Sequence, residues 1–309
     1  MIIFSGNSNP PLAQEVCSIL GVPRGEAMVG RFSDGEVRIE IRQNVRGMDV
    51  FVIQSTCPPV NENLMELLVL VDALKRASAR RITAVIPYYG YGRQDQKDKP
   101  RVSITSKMVA DCLAVAGVNR VLTSDFHADQ IEGFFNIPVD HLWAMHVLLQ
   151  DVRNGLQGDE IVVAPDEGGV ERARAFASRL NVDLAMLDHR GTDSDPYSRI
   201  VGNVKGRRVI ILDDMVDTGR TMVRAALGAQ AAGAACVDAY CVHALLSGYA
   251  VEKLDASPLR SLTVTDTIPL SRAASAWDKV RTVSIAPMLT EAIRRVHYEE
   301  SMSSLFVRS

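Results

Sequence analysis

The sequence predicts an α/β fold built on mostly parallel sheets. Short runs rich in Val and Ile alternate with stretches of helical period, the pattern of βα units wound around a sheet. The runs are nearly all apolar, as strands covered on both faces are. A Gly-rich polar turn, Gly155-Leu156-Gln157-Gly158, separates two such βα series and marks a domain junction.

Strands are expected at Asp49 to Ser55, Arg81 to Pro87, Val118 to Thr123, Glu160 to Ala164, Arg207 to Leu212, Cys236 to Val242 and Ser261 to Val264. Leu64, Leu67, Leu68, Val71 and Leu74 mark one face of a helix after Asn61, with Asn63 and Glu66 spaced for a capping-box-like start. Further helices are expected after Ser103, Gly169 and Gly219, and over Val139 to Asn154. Beyond Pro287, the residues Met288, Leu289, Ile293 and Val296 form an amphipathic stretch suited to a terminal helix docked on the body. There is no fixed-period repeat and no low-complexity tract. The expected domains are residues 1–147, 148–287 and a C-terminal helix and tail, 288–309.

At 309 residues the chain has the length of about two domains. Lys and Arg total 34 against 37 Asp and Glu, a net charge of −3, so no global basic field exists to neutralise a nucleic-acid backbone. With 47% hydrophobic and 23% charged residues the composition is that of a folded globular protein. Five scattered cysteines without a C-x-x-C pair suggest neither a disulfide framework nor a zinc site, and a cytoplasmic location is expected. The opening Met1-Ile2-Ile3-Phe4-Ser5-Gly6 lacks a basic segment and an apolar core, and no apolar run approaches membrane-spanning length. Neither a membrane nor a nucleic acid is an expected partner.

The strongest chemical signal is Val209-Ile210-Ile211-Leu212 leading into Asp213-Asp214-Met215-Val216-Asp217-Thr218-Gly219-Arg220-Thr221, with a helix from near Met222. A strand, a small-residue turn and a helix N-terminus bring free backbone N–H groups and the Thr218 and Thr221 hydroxyls to one point, where an anion is held. It is not a Walker loop, since no Lys follows the glycine, and three carboxylates would repel a bare polyphosphate. They make sense if Asp213 and Asp214 accept from a sugar diol, or ligate Mg²⁺ upon it, while the turn takes the sugar's 5′-phosphate. The alternative is a capped strand-to-helix junction with solvated acids. Strand ends in open α/β sheets are, however, where ligands bind.

This loop resembles the ribose-5-phosphate site of the type I phosphoribosyltransferase fold. The chain is similar over nearly its whole length, from Phe4-Ser5-Gly6 to Ser303-Ser304-Leu305-Phe306, to the ribose-phosphate pyrophosphokinase family. The resemblance implies two tandem phosphoribosyltransferase-like domains, ATP and ribose 5-phosphate as substrates, Mg²⁺ as cofactor, and a homo-oligomer, a hexamer in the family.

Phe32-Ser33-Asp34-Gly35-Glu36, before an alternating strand Val37 to Ile41, places an aromatic ring and two acceptors, Asp34 and Glu36, at a tight turn. By itself this reads equally well as a plain β-turn; in the family it is the adenine-binding loop. Tyr88 to Arg101 packs cations among glycines and tyrosines after an apolar strand. Such a loop suits a triphosphate or is a charged surface loop. The resemblance assigns ATP contact to Arg93 and Gln94, with Asp95 beside them. It assigns Mg²⁺ contact to His127, in Ser124-Asp125-Phe126-His127, and to Asp166, in Ala164-Pro165-Asp166-Glu167-Gly168-Gly169.

The implied reaction is attack by the ribose C1 hydroxyl on the β-phosphorus of ATP, driven by in-line positioning and neutralised charge. The family's catalytic loop opens with a Lys and an Arg two residues later, directly after a strand ending in Asp. Here Leu184 to Asp188 is that strand, and His189-Arg190-Gly191 follows. The Lys position holds His189 and the second Arg position holds Gly191, leaving Arg190 as the permanent cation. An imidazole of ordinary pKa is mostly neutral at pH 7. The departure leaves open an active enzyme, in which His189 and Arg190 serve, and an impaired regulatory paralogue assembling with an active homologous subunit. Arg220 stands where the family usually has a small residue; it reaches the phosphate or points to solvent.

Overall fold

A computed structural model describes residues 1–188 and 199–305. It divides into two compact units: Met1–Trp143 together with residues 285–305, and Ala144–Ser284. Each is an α/β body with helices packed on a mainly parallel sheet.

The first unit runs β1 (Ile2–Ser5), α1 (Pro10–Leu20), β2 (Ala27–Arg31), β3 (Val37–Ile41), β4 (Asp49–Ile53), α2 (Val60–Arg76), β5 (Arg81–Ile86), α3 (Thr105–Ala116), β6 (Arg120–Ser124) and β7 (Val139–Leu142). Five strands form one all-parallel sheet in the order β1-β4-β5-β6-β7, while β2 and β3 make a separate antiparallel hairpin. β4 shows why the apolar runs fold as strands: all five residues are buried, so alternation is lost. α2 lays Leu67, Leu70, Val71 and Leu74, each 0% exposed, on Val50, Val52, Ala84 and Ile86. Truncating one such Leu to Ala typically costs about 2–5 kcal/mol.

The second unit runs α4 (Met145–Asn154), β8 (Glu160–Ala164), α5 (Val170–Leu180), β9 (Asp183–Asp188), β10 (Arg199–Val201), β11 (Arg208–Val216), α6 (Arg220–Ala231), β12 (Cys236–Ala244), α7 (Ala250–Asp255), β13 (Leu259–Thr265), α8 (Arg272–Ser275) and β14 (Val280–Val283). Its seven strands are ordered β10-β9-β8-β11-β12-β13-β14, and β10 is the antiparallel one. β8 and β11 are central and pair in parallel, so their C-terminal ends lie side by side. The final helix, α9 (Ala286–Tyr298), belongs to the first unit, where it packs against α1 and buries Leu289, Ile293 and Val296.

Three local expectations are corrected. Val139 to Asn154 is not one helix: Val139–Leu142 forms β7, paired with β6, and the helix begins at Met145. The sequence masks this strand because Asp140 and His141 are polar yet buried. Asp140 accepts from Arg120 at 2.6 Å, and the His141 Nε2 accepts from the Phe126 N–H at 2.9 Å. Next, β11 does not stop at Leu212 but continues through Asp213 and Asp214 to Val216, because pairing with β12 overrides the poor strand propensity of Asp. α6 begins at Arg220, directly after Gly219 as expected. Finally, Asn63 and Glu66 form no capping box: α2 starts at Val60 with no side-chain cap, and both residues face inward to other partners.

Candidate active site

In the second unit the acidic corner forms at the C-terminal end of central β11. Asp213 and Asp214 are 8% and 5% exposed, and the Asp214 N–H donates to Asp213 Oδ1 at 2.9 Å. After Asp217 and exposed Thr218, Gly219 takes φ +73° and the chain enters α6 at Arg220. Glycine is required at 219 twice over. The left-handed backbone disfavours a side chain, and a Cβ there would lie 3.1 Å from Leu254 Cγ. The turn leaves the first N–H groups of α6 pointing outward, with the positive end of the helix dipole behind them. Thr221 is half-buried beside them and Arg220 is exposed.

Burial pushes the Asp213 carboxyl well above the ordinary carboxylate range, and the neighbouring Asp214 charge pushes the same way. Arg172, on α5, opposes this. Its Nη1 donates to Asp214 Oδ1 at 3.1 Å and stands 3.8 Å from Asp213 Oδ1. The charge of Asp166, at the end of β8, is also felt at Asp213. The Asp166 Oδ1 accepts from the Gly169 N–H at 2.8 Å, which holds the turn into α5. The strand ends of β8 and β11 thus bring together Asp166, Asp213, Asp214 and Arg172. Arg172 escapes sequence reasoning because an Arg in the first turns of a helix carries no local signal; only the β8–β11 pairing brings it to the acids.

Beneath this corner, Cys241 is paired in register with Asp213 on β12, fully buried. Burial and the two carboxyl groups push its thiol up, so it is an inert packing residue.

In the first unit, β2 and β3 carry the Phe32 turn. The Phe32 N–H donates to Glu36 O at 2.8 Å, the Gly35 N–H to Phe32 O at 3.0 Å, and the Glu36 N–H to Asp34 Oδ1 at 3.0 Å. One Asp34 oxygen is therefore spent on shaping the turn. Phe32 itself is 50% exposed, with the Arg38 guanidinium 5.4 Å from its ring centroid. A half-exposed ring backed by a cation is a platform on which a planar base can stack.

The Tyr88 to Arg101 loop follows β5. The Gly90 N–H donates to Thr56 Oγ1 at 2.7 Å, and Thr105 Oγ1 donates to Gln94 Oε1 at 2.5 Å. Asp95 is buried and accepts from Gln130 Nε2, so it serves the loop's shape, while Arg93 and the backbone-anchored Gln94 are exposed. Exposed His127 follows β6 and neighbours this loop: a Cβ on Gly92 would lie 3.7 Å from His127 Cβ. Asp125, just before it, is buried with φ +41°, a strained backbone of the kind that clusters at ligand sites.

His189, Arg190 and Gly191 lie outside the described residues, as does Phe306. Among the described residues, no three His, Cys, Asp or Glu side chains enclose a point as a closed metal site would. The Asp213–Asp214 pair nonetheless fits Mg²⁺ chemically, as hard oxygen donors whose mutual repulsion a dication relieves.

Residues 1–117 match the N-terminal domain of ribose phosphate pyrophosphokinase, and residues 187–307 match the phosphoribosyl synthetase-associated domain. The chain is 53% identical to a ribose-phosphate pyrophosphokinase of Burkholderia pseudomallei over 312 residues, covering 100% of this chain and 98% of that one. It is 52% identical to one from Ralstonia nicotianae, covering 99% and 98%. The crystal structure of a phosphoribosylpyrophosphate synthetase from Mycobacterium smegmatis matches with a TM-score of 0.92 at 39% identity, covering 96% of this chain and 99% of that one. Likeness of this extent and identity, end to end, leads to one conclusion: the chain belongs to the ribose-phosphate pyrophosphokinase family.

Proposed function

We propose that the chain transfers the β,γ-diphosphoryl group of ATP to the C1 hydroxyl of ribose 5-phosphate, giving 5-phosphoribosyl 1-diphosphate and AMP. The C1 oxygen bonds to the β-phosphorus, the bond from that phosphorus to the α,β-bridging oxygen breaks, and the hydroxyl proton leaves to solvent or a nearby base. The observation that carries the reading is the buried Asp213–Asp214 pair at the head of a Gly219 turn and helix N-terminus. It joins acceptors for a sugar diol to donors for a phosphate, a combination a phosphorylated pentose satisfies and a bare nucleotide phosphate chain does not.

In this reading Asp213 and Asp214 orient the ribose hydroxyls. Thr218, Thr221 and the backbone N–H groups from Asp217 through Gly219 and Arg220 take the 5′-phosphate. Phe32 stacks adenine, Asp34 and Glu36 accept from its amino group, and Arg93 with Gln94 and Asp95 serves the phosphates. Mg²⁺ is the proposed cofactor, with contacts assigned to His127 and Asp166; when bound it supplies neutralisation of the charge on the transferring oxygens. His189 and Arg190 are proposed to add positive charge at the same step. Arg172 holds the acid pair in place between turnovers. The protein is proposed to act in the cytoplasm as a homo-oligomer.

The test is release of AMP from ATP and Mg²⁺ with and without ribose 5-phosphate. AMP that depends on the sugar supports the reading, and none above a protein-free control across pH 6 to 9 refutes it.

A further inference from the structure

The hairpin that carries Phe32 is not part of the five-stranded sheet. A two-stranded hairpin is marginally stable by itself, so the place of its tip depends on what it rests on. Ala27, Ile39 and Ile41 are partly buried against the first core, which attracts the hairpin without fixing its register, since apolar contact is non-directional. The directional contacts come from elsewhere. Arg31 donates to Glu62 on α2 at 2.6 Å, but these side chains are 39% and 53% exposed, and such pairs contribute about 0–1 kcal/mol.

At the hairpin's base the Gly25 N–H donates to Ile3 O at 2.7 Å, and nearer the tip a further side-chain contact is anchored in the interior. Asn7, in the β1–α1 loop, donates from Nδ2 to the Val29 carbonyl on β2 at 3.2 Å. Both polar ends of Asn7 are also held by Glu66 on α2: the backbone N–H by Oε1 at 2.6 Å and Nδ2 by Oε2 at 2.9 Å. Glu66 is 2% exposed and its Oε1 further accepts from Gln54 Nε2 at 2.8 Å. Gln54, wholly buried, accepts from the Ser8 N–H at 3.1 Å and its hydroxyl at 2.7 Å, and donates to Asn63 O at 3.2 Å. A Cβ at Gly6 would lie 2.4 Å from Gln54 Oε1 and 2.6 Å from Glu66 Oε1, so the loop can close over this network only with glycine there. Burying a carboxyl group is expensive unless its oxygens are satisfied. Here they are satisfied by both nitrogens of one residue, which fixes that residue's rotamer and aims its amide at the hairpin.

We propose that Glu66, acting through Asn7, is a positioning residue that sets where the Phe32 hairpin presents its ring to the nucleotide base. The proposal rests on the reading of Phe32 to Glu36 as the adenine loop. It separates ATP recognition from ribose 5-phosphate recognition, because the network lies wholly in the first unit.

The experiment is steady-state kinetics of Asn7→Ala, Glu66→Gln and Phe32→Ala in the full chain, with melting curves. Asn7→Ala leaves the buried Glu66 Oε2 without its Asn7 donor, and in Glu66→Gln an amide NH₂ meets the Gln54 or Asn7 donors, so both variants are expected to melt lower than the parent while staying folded, and kcat rather than the melting temperature alone separates the readings. Asn7→Ala is expected to raise KM for ATP about 5- to 10-fold, the worth of one anchored hydrogen bond. KM for ribose 5-phosphate and kcat stay within about twofold, and the preference for ATP over GTP falls. Glu66→Gln gives the same split. A purely structural role would instead lower kcat and the melting temperature together, and that result overturns the proposal. So does an unchanged ATP KM in Asn7→Ala while Phe32→Ala raises it. If Phe32→Ala also leaves ATP KM unchanged, the adenine-loop reading has failed and the proposal falls with it.

Discussion

Replacing Arg172 by Met keeps most of the apolar stem and removes the guanidinium that faces two buried carboxyl groups. At an effective dielectric of ~20, charges 3.1 Å and 3.8 Å apart attract by about 5 and about 4 kcal/mol. Most of this is offset by dehydrating an arginine side chain only 17% exposed, and removing one partner of a buried pair costs about 3–5 kcal/mol net. For a chain of this size that corresponds to a fall of roughly 6–15 °C in melting temperature. The loss must depend on pH. The folded Asp213 carboxyl already lies above its ordinary range through burial and Asp214, and without Arg172 it lies higher still. A carboxyl raised in the folded state contributes stability that is present below its unfolded value and is lost as pH rises through its folded value. The deficit of Arg172→Met against the parent therefore widens from acid towards pH 8. The assay is a melting series from pH 5 to 8.5 on both proteins. A deficit independent of pH, or none at all, would refute the electrostatic account of this corner.

The remaining expectations concern the same corner. Asp213→Asn removes the repulsion at its source while Asp214 keeps its closer contact to Arg172, so it should raise stability at pH 8 by about 0.5–2 kcal/mol, the usual trade of activity for stability, with ribose-5-phosphate-dependent AMP release lost. Melting and AMP assays together check both signs. Gly219→Ala forces a side chain into a left-handed backbone 3.1 Å from Leu254 Cγ. It is expected to cost about 1–3 kcal/mol and to raise KM for ribose 5-phosphate far more than KM for ATP.

How far the residues could be read in advance follows from the range of the forces involved. β4, β5 and β8 were legible because strands buried on both faces write a nearly continuous apolar run. The turn and helix start at Asp217 to Thr221 were legible because turn and helix-start chemistry are local. β7 was not, since Asp140 and His141 are buried by partners far along the chain, Arg120 and Phe126. Glu66, spaced for a helix cap, takes interior partners for the same reason: Asn7 and Gln54 are brought to it by β1, β4 and α2 packing together. Arg172 carries no motif at all and acquires its role only when β8 and β11 pair. The proposed role of His189 and Arg190, which lie outside the described residues, is argued from the sequence.

The proposed reaction moves an intact diphosphoryl group to the pentose. Phosphorus NMR of a reaction holding the protein, Mg²⁺, ATP and ribose 5-phosphate tests it most directly. Transfer of the intact group gives a new pair of mutually coupled diphosphate resonances, one of them also coupled to the anomeric proton, growing in step with AMP. ADP with a singly phosphorylated sugar, or AMP with free diphosphate from the first time points, would contradict it.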